Sequence, residues 1–252
     1  MKHTSEEFAR IAEKGTVLRC QVGSRVHGLA LDGGDRDEMG LCVEPPEYVM
    51  GLRHFEQYVY RSRPEHVRSG EGDLDLTVYS LRKWTRLALD GNPTVLLPLF
   101  APESELVTVT DLGRELRAEA GRFVSRRAGH RFLGYLRAQR GRLTDGRGHT
   151  NRPELVREHG FDTKFAYHMV RLGLQGVELM ERGRMTLPMP EPDRGWLLGL
   201  RRGERTLEEA MERTAELETR LAALVESADV PDEPDAGWAD RWLVRAHLRT
   251  WG

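Results

Sequence analysis

The sequence has little cysteine and no long apolar stretch. Only Cys20 and Cys42 occur among 252 residues, so two reduced, buried thiols are favoured over a disulfide or a zinc site. No segment approaches the roughly 18 consecutive apolar residues of a membrane span, and the N-terminal segment lacks the apolar core of a signal peptide. We therefore expect a soluble, cytoplasmic protein that has no membrane partner.

Lysine is also scarce, which makes each lysine informative. Of 38 basic residues only four are lysines, namely Lys2, Lys14, Lys83 and Lys164. Because arginine is the ordinary cation of this chain, a lysine in its middle indicates a position where a compact ammonium is favoured over a flat guanidinium. Lys83 and Lys164 are therefore candidates for contacts with phosphate.

The formal net charge of −2 conceals segments of opposite sign. Residues 111–185 carry 16 basic and 9 acidic residues, whereas residues 1–110 and 186–252 are acidic. Basic residues are densest in a segment that begins at Arg122 and ends at Arg152, where nine arginines occur with one acid, Asp145. This basic segment is typical of a surface that binds RNA phosphates, and an arginine-rich solvated helix is the alternative.

The pattern of the chain predicts an α+β protein. Alternating and β-branched residues predict strands over residues 16–22, 35–43 and 74–79. Helical spacing dominates after residue 110, and the helices predicted there cover residues 112–143, 162–181, 206–226 and 238–251. We therefore predict a small mixed sheet in residues 1–110, followed by an α-helical domain in residues 111–252.

Two motifs near the first predicted strands point to phosphate and metal chemistry. Gly23 and Ser24 lie between a strand and a helix start, where backbone N–H groups and a hydroxyl can hold a phosphate; an ordinary turn is the alternative. Asp35 and Asp37 are two residues apart, so in a strand their carboxylates share one face with Cα atoms about 7 Å apart. Because such carboxylates repel one another, the pair favours a divalent ion, most naturally Mg²⁺, over a solvated turn.

A third acid occurs in the next predicted strand. Asp75 stands between Leu74 and Leu76, so its side chain points away from its apolar neighbours. This pattern is typical of a lone functional carboxylate on a core strand. Asp73 is the alternative, because Gly72 and Asp73 can form the turn before the strand.

These motifs together resemble the DNA polymerase β nucleotidyltransferase superfamily, in which Gly-Ser, Asp-x-Asp and a third Asp between hydrophobic residues follow one another. More closely, the chain resembles the RlaP-type family, whose members are often associated with RNA ligases in RNA repair. The matching motifs lie at residues 23–28, 35–40, 79–84, 91–94, 160–164, 168, 171, 178–179 and 231–235. Gly34 and Pro98 depart from the family pattern, where a Ser and an acid are expected.

The resemblance implies a polymerase-β-like catalytic domain, a helical domain that completes the site, and a two-metal reaction. Asp35 and Asp37 would hold two Mg²⁺ ions, with Mn²⁺ as the alternative, and Asp75 would bind the ion that activates an acceptor hydroxyl. That hydroxyl would attack the α-phosphorus of an NTP such as ATP, and pyrophosphate would leave.

The triphosphate needs cations, and a helix in the second half of the chain supplies three. Lys164, His168 and Arg171 are spaced i, i+4, i+7 and so share one face. For the group as a whole, a solvated helix face is the alternative. His168 can instead be a hydrogen-bonded structural histidine, and Lys83 can be a surface lysine. The resemblance favours phosphate contact for Lys164. The candidate nucleotide-binding residues are Gly23, Ser24, Lys83, Lys164, His168 and Arg171.

The resulting hypothesis is metal-dependent nucleotidyl transfer to RNA, at a 3′ end, with an RNA ligase as a functional associate. One alternative is a nucleotidyltransferase that modifies a hydroxyl of a protein or a small molecule. Another is a catalytically silent module that binds nucleotides or RNA, which has no need of three converging carboxylates.

Overall fold

The structure, a computed structural model, describes residues 3–31, 34–64, 67, 70, 72–144 and 152–252. The chain forms two compact units: the first comprises Met1–Asp90, Thr94–Phe123 and Asp235–Gly252, and the second comprises Gly91–Pro93 and Val124–Pro234. The units divide the chain differently from the predicted boundary at residue 110, because residues 111–123 and the C-terminal segment pack with the sheet. Asp145 and Arg147 of the basic segment lie outside the described residues.

The described residues form five strands and twelve α-helices, which confirms the predicted α+β class. The strands are β1 (Thr16–Gln21), β2 (Arg36–Cys42), β3 (Gln57–Arg61), β4 (Leu74–Ser80) and β5 (Leu106–Val109). The helices are α1 (Glu6–Gly15), α2 (Gly23–Val26), α3 (Pro46–Val49), α4 (Leu81–Leu89), α5 (Leu97–Phe100), α6 (Asp111–Ala118), α7 (Arg126–Thr144), α8 (Pro153–His159), α9 (Thr163–Arg182), α10 (Asp193–Arg201), α11 (Leu207–Ser227) and α12 (Ala236–Trp251). None of these helices is both long and apolar enough to cross a membrane.

The strands form one mixed sheet in the first unit, in the order β3-β4-β2-β1-β5. β2 and β4 run parallel, and the other neighbouring strands run antiparallel. The parallel register pairs Asp37 with Asp75, so the polar starts of β2 and β4 meet at one end of the sheet. Cys42, Leu76 and Val78 lie on one face and pack with α1. Because side chains alternate along a strand, Asp37 and Asp75 point to the opposite face.

The sequence predicts β1, β2 and β4 but not β3 or β5. All five side chains of β3 are at least partly exposed, and β5 has only four residues, so neither strand carries a strong apolar pattern. The single helix predicted over residues 112–143 is wrong, because α6 and α7 are separated by a 3₁₀ helix, Ala120–Phe123. The interruption allows Phe123 to make edge contacts with Trp84 and Trp238 in the first unit.

The two cysteines are free and buried, as predicted. Burial raises the pKa of Cys20 to about 12, and burial raises the pKa of Cys42 as well. Since the thiolate is the reactive form of cysteine, both side chains are inert at neutral pH.

Helix α9 is the buried centre of the second unit, where it packs against α7, α10 and α11. Gly176 permits the close approach of its neighbours: a Cβ atom there would lie 2.7 Å from Leu221 of α11 and 2.9 Å from Phe132 of α7. Because α9 also carries Lys164, His168 and Arg171, this packing fixes the positions of all three.

A buried carboxylate joins the C-terminal helix to the sheet of the first unit. Glu44 is almost fully buried, and its Oε2 accepts hydrogen bonds from the Leu81 amide at 3.1 Å and His247 Nε2 at 3.0 Å. Trp251 Nε1 donates to the Glu44 carbonyl at 2.8 Å. These bonds explain why α12 belongs to the first unit rather than to a separate C-terminal helical domain.

The Glu44→Ala variant should lose about 3–5 kcal/mol of unfolding free energy, because the Leu81 amide and His247 would be left buried without this acceptor. Urea unfolding measures the loss. The control is Glu47→Ala, which removes an exposed carboxylate and should change the free energy by no more than about 0.5 kcal/mol. Equal stability of the two variants would contradict the role assigned to Glu44.

Candidate active site

Three carboxylates converge at the starts of β2 and β4. Asp37 and Asp75 are paired across these parallel strands, and Asp35 directly precedes β2. One ligand oxygen from each of the three lies within 4.8 Å of the other two, and all three side chains are half-buried. In the part of the chain that the structure describes, no other group of three or more His, Cys, Asp or Glu residues is so placed.

The donor set fits a divalent ion that prefers oxygen ligands. Two oxygens on opposite sides of one Mg²⁺ lie about 4.2 Å apart, twice the usual Mg–O distance, and the 4.8 Å limit is close to that separation. Three negative charges at this spacing repel one another, and a divalent cation relieves the repulsion. Asp35, Asp37 and Asp75 are therefore the residues that would hold the metal.

Gly23 makes room for Asp37. β1 leads into the four-residue helix α2 at Gly23, whose φ of +67° is in the left-handed region that favours glycine. A Cβ atom at this position would lie 2.2 Å from Asp37 Oδ2, and the preceding amide, of Val22, donates to the Asp37 carbonyl at 2.7 Å. Ser24 follows as the second residue of α2 and is half-buried. The structure therefore places Gly23 directly against Asp37, and Ser24 is its neighbour in the chain.

Asp73 lies outside the carboxylate group and supports Asp75 instead. Its side chain accepts hydrogen bonds from the Gly70 amide, from Ser62 Oγ and from Arg63 Nη1, all between 2.8 and 2.9 Å. The Gly70 and Ser62 bonds are the main causes of a lowered pKa at Asp73. Arg63 also donates from Nη2 to Asp75 Oδ2 at 3.2 Å, so one guanidinium bridges the two acids. Of the two alternatives, the geometry favours Asp75 as the third carboxylate.

Two arginines beside Asp75 escape the sequence analysis. Arg63 is in the segment after β3, and Arg61, the last residue of β3, is paired with Asp75 across the sheet. The Nε atom of Arg61 lies 3.8 Å from Asp75 Oδ1. The one sequence signal for them is the alternation in residues 57–61, where Tyr58 and Tyr60 flank Val59.

The structure does not bring Lys83 to the carboxylates. Lys83 is in α4, which follows the far end of β4, and Asp75 and Ser80 are separated by about 17 Å of extended strand. Its Nζ atom donates to Glu56 Oε2 and Gln57 Oε1, each at 3.0 Å, and lies 5.8 Å from the Tyr79 ring centroid. These contacts are those of a structural lysine.

Lys164, His168 and Arg171 lie together on α9 of the second unit. Arg171 is buried; its Nη1 donates to Gln175 at 2.7 Å, and its Nη2 is 3.3 Å from His168 Nδ1. Burial lowers the pKa of His168 well below its usual value, and Arg171, Lys164, Arg152 and Arg201 lower it further. No local sequence pattern links Arg201 to this group, because Arg201 lies 30 residues beyond Arg171, at the end of α10.

The basic segment is largely neutralised by acids from other parts of the chain. Arg122 pairs with Glu119 and Asp235 in the first unit. In the second unit, Arg126 pairs with Asp232, Arg127 with Glu233, and both Arg137 and Arg140 with Glu218. The count of one acid among nine arginines therefore overstates the positive charge that this segment presents.

Comparison with known proteins identifies the class. A family model matches residues 1–245, nearly the whole chain, and its description names the DNA polymerase beta family. The chain belongs to this family, RlaP, the RNA repair pathway DNA polymerase beta family. The protein is therefore a nucleotidyltransferase of the polymerase β type.

Two further comparisons add little. A search of the curated proteins finds no match. Among solved structures, a nucleotidyltransferase-like protein from Exiguobacterium sibiricum 255-15 shares 14% sequence identity, with 90% of this chain and 74% of that chain covered. The TM-score is 0.31, and at that value the likeness carries no argument about the site.

The Gly23→Ala variant should bind Mn²⁺ at least about tenfold more weakly, because the new methyl group displaces the Asp37 carboxylate. Electron paramagnetic resonance of free Mn²⁺ measures the affinity. The matched control is Gly183→Ala: Gly183 has nearly the same φ, +66°, but no atom lies within 4 Å of the added Cβ. Both variants carry the same backbone strain, so an unchanged affinity in Gly23→Ala would refute the steric role.

Acidification should destabilise the protein through His168. Its folded pKa is below the unfolded value of about 6.5, so in the window between the two the unfolded chain binds a proton that the folded chain does not. The contribution of His168 to the free energy of unfolding is therefore fully present above this window. It falls as the pH decreases through the window, by at most about 1.4 kcal/mol per pH unit. The His168→Gln variant should show a shallower pH dependence when urea unfolding is measured from pH 7.5 to 5. Parallel profiles would contradict the lowered pKa.

Proposed function

We propose that this nucleotidyltransferase is metal-dependent and transfers a nucleoside monophosphate from an NTP to an RNA 3′ hydroxyl, releasing pyrophosphate. The observation that carries the proposal is the convergence of Asp35, Asp37 and Asp75 within 4.8 Å at the starts of two parallel strands. A binding module gains nothing from holding three repelling carboxylates together, whereas phosphoryl transfer needs charge neutralisation and positioning above all.

The three carboxylates divide two tasks in this proposal. Asp35 and Asp37 would hold two Mg²⁺ ions, or Mn²⁺ in their place, and Asp75 would bind the ion that activates the acceptor hydroxyl and take up its proton. The ions would supply charge neutralisation at the α-phosphorus and at the leaving pyrophosphate. Gly23 and Ser24 face the same phosphates through their backbone amides and the Ser24 hydroxyl.

The cations of α9 are the second group that we assign to the nucleotide. Lys164, Arg171, Arg152 and Arg201 act together on His168, and their combined positive potential suits a triphosphate such as that of ATP. The lowered pKa keeps His168 neutral, so it can offer a ring N–H without adding to the repulsion among the cations. Lys83 has no place in this assignment.

RNA is the acceptor that the family description favours, since that description names an RNA repair pathway. The proposal includes a cytoplasmic location and functional association with an RNA ligase, which joins ends that such an enzyme prepares. The basic segment offers less support, because most of its described arginines are ion-paired. A protein or small-molecule hydroxyl is the alternative acceptor.

Incubation with each labelled NTP, Mg²⁺ and RNA should give transfer to RNA with a free 3′ hydroxyl and none to RNA with a 3′ phosphate. Asp35→Asn and Asp37→Asn should lower the rate about 10³-fold, the equivalent of several kcal/mol of lost charge stabilisation. The control, Asp111→Asn, changes an exposed carboxylate of the same unit and should leave the rate unchanged. Transfer only to protein or small molecules would replace the RNA proposal, and no transfer to any acceptor would end it.

A further inference from the structure

An open pocket of about 420 Å³ lies along β3, the outer strand of the sheet next to β4. Two tyrosines, two arginines and a histidine contribute to its lining, and no acidic residue does so among the described residues. The residues concerned are Tyr58, Tyr60, Arg61, Arg63 and His3. Its volume is in the range of ligand-binding sites, and its composition is cationic and aromatic.

Two arginines of the pocket lining also approach the carboxylate site. Arg61 and Arg63 line the pocket, and each also approaches Asp75, at 3.8 Å and 3.2 Å respectively. Asp75 is therefore the carboxylate nearest to β3 in the sheet, since Asp37 is one strand further in.

The two arginines differ in what they can offer a ligand. The Arg63 side chain is only 9% exposed and bridges Asp73 and Asp75, so it is part of the support of the site. The Arg61 side chain is 55% exposed, and its Nε is beyond hydrogen-bond distance from Asp75. Tyr60, its neighbour in β3, is 43% exposed. Because neighbouring residues of a strand point to opposite faces, Arg61 lies on the face of Asp75 and Tyr60 on the face of Leu76, and both line the pocket at this edge strand.

A guanidinium and an exposed aromatic ring that line one pocket are features by which proteins bind single-stranded nucleic acid: the cation contacts a phosphate, and the ring stacks on a base. We propose that the β3 pocket binds the end of a single-stranded RNA acceptor, with Arg61 on a backbone phosphate and Tyr60 against a base. This inference rests on the proposed function, since it names where that acceptor lies.

Sheet order supports an acceptor here rather than the NTP. Gly23 and Ser24 follow β1 and adjoin Asp37, so the features suited to the triphosphate lie on the β1 and β2 side of the site. β3 lies on the other side of Asp75. The acceptor hydroxyl must reach the acid that takes up its proton, and β3 adjoins that acid. The arginines of the basic segment, by contrast, are mostly paired with carboxylates.

Binding of a fluorescent single-stranded RNA, measured by anisotropy without NTP or metal, tests the proposal independently of catalysis. Tyr60→Ala and Arg61→Gln should each weaken binding about tenfold, and Arg61→Gln should reduce the slope of log affinity against log salt by about 0.7. Mn²⁺ binding should be retained in Tyr60→Ala. Arg10→Gln is the matched control, because Arg10 is also exposed (64%) and its nearest acid, Glu6, lies 3.9 Å away.

The outcomes distinguish failure of this inference alone from failure of the proposed function. If the wild-type protein extends RNA but Tyr60→Ala and Arg61→Gln bind it as Arg10→Gln does, the β3 site is refuted and the proposed function stands. If Arg131→Glu with Arg142→Glu weakens binding more than the β3 variants, the acceptor follows the basic segment instead, which also refutes the β3 site. If the wild-type protein neither binds nor extends RNA, both proposals fail.

Discussion

The parallel pairing of β2 with β4 is the constraint on which the site depends. It aligns Asp37 with Asp75 at the same level of the sheet, and Asp35 adds a third negative charge before the strand begins. Hydrogen bonds and buried apolar side chains along both strands hold this register, so the carboxylates cannot separate without loss of the sheet. Their mutual repulsion is thus maintained by the fold, and a divalent cation relieves it.

Two residues adapt the surroundings of these carboxylates in opposite ways. Gly23 contributes the absence of a side chain, because any Cβ atom at that position would occupy the space of the Asp37 carboxylate. Arg63 contributes a positive charge and two hydrogen bonds: one is donated directly to Asp75, and the other, to Asp73, anchors the guanidinium. The missing side chain at Gly23 leaves space for Asp37, and the guanidinium of Arg63 binds Asp75. Together these two features fix the orientation of both carboxylates.

Charge along the sequence and charge in the folded protein differ in this molecule. The basic segment has the highest density of arginine along the sequence, yet acids from α11 and from residues 231–235 pair with much of it. Burial, and then Arg171, Lys164, Arg152 and Arg201, lower the pKa of His168. The proximity of these cations depends on the fold rather than on their spacing along the sequence.

The sequence predicts those residues of the site whose positions are determined by a single strand or helix. The alternation around Asp37 and Asp75 depends on single strands, and the structure forms both of them, β2 and β4. The i, i+4, i+7 spacing depends on a single helix, and the structure forms it as α9, which carries Lys164, His168 and Arg171. Lys83 was assigned because lysine is scarce, because it lies in the helix after the Asp75 strand and because residues 79–84 match the family, but its location depends on which end of β4 it follows. Arg61 and Arg63 depend on β3, whose apolar pattern is weak because β3 lies at the edge of the sheet. An edge strand needs few buried side chains, and for the same reason its polar side chains stay accessible beside the carboxylates.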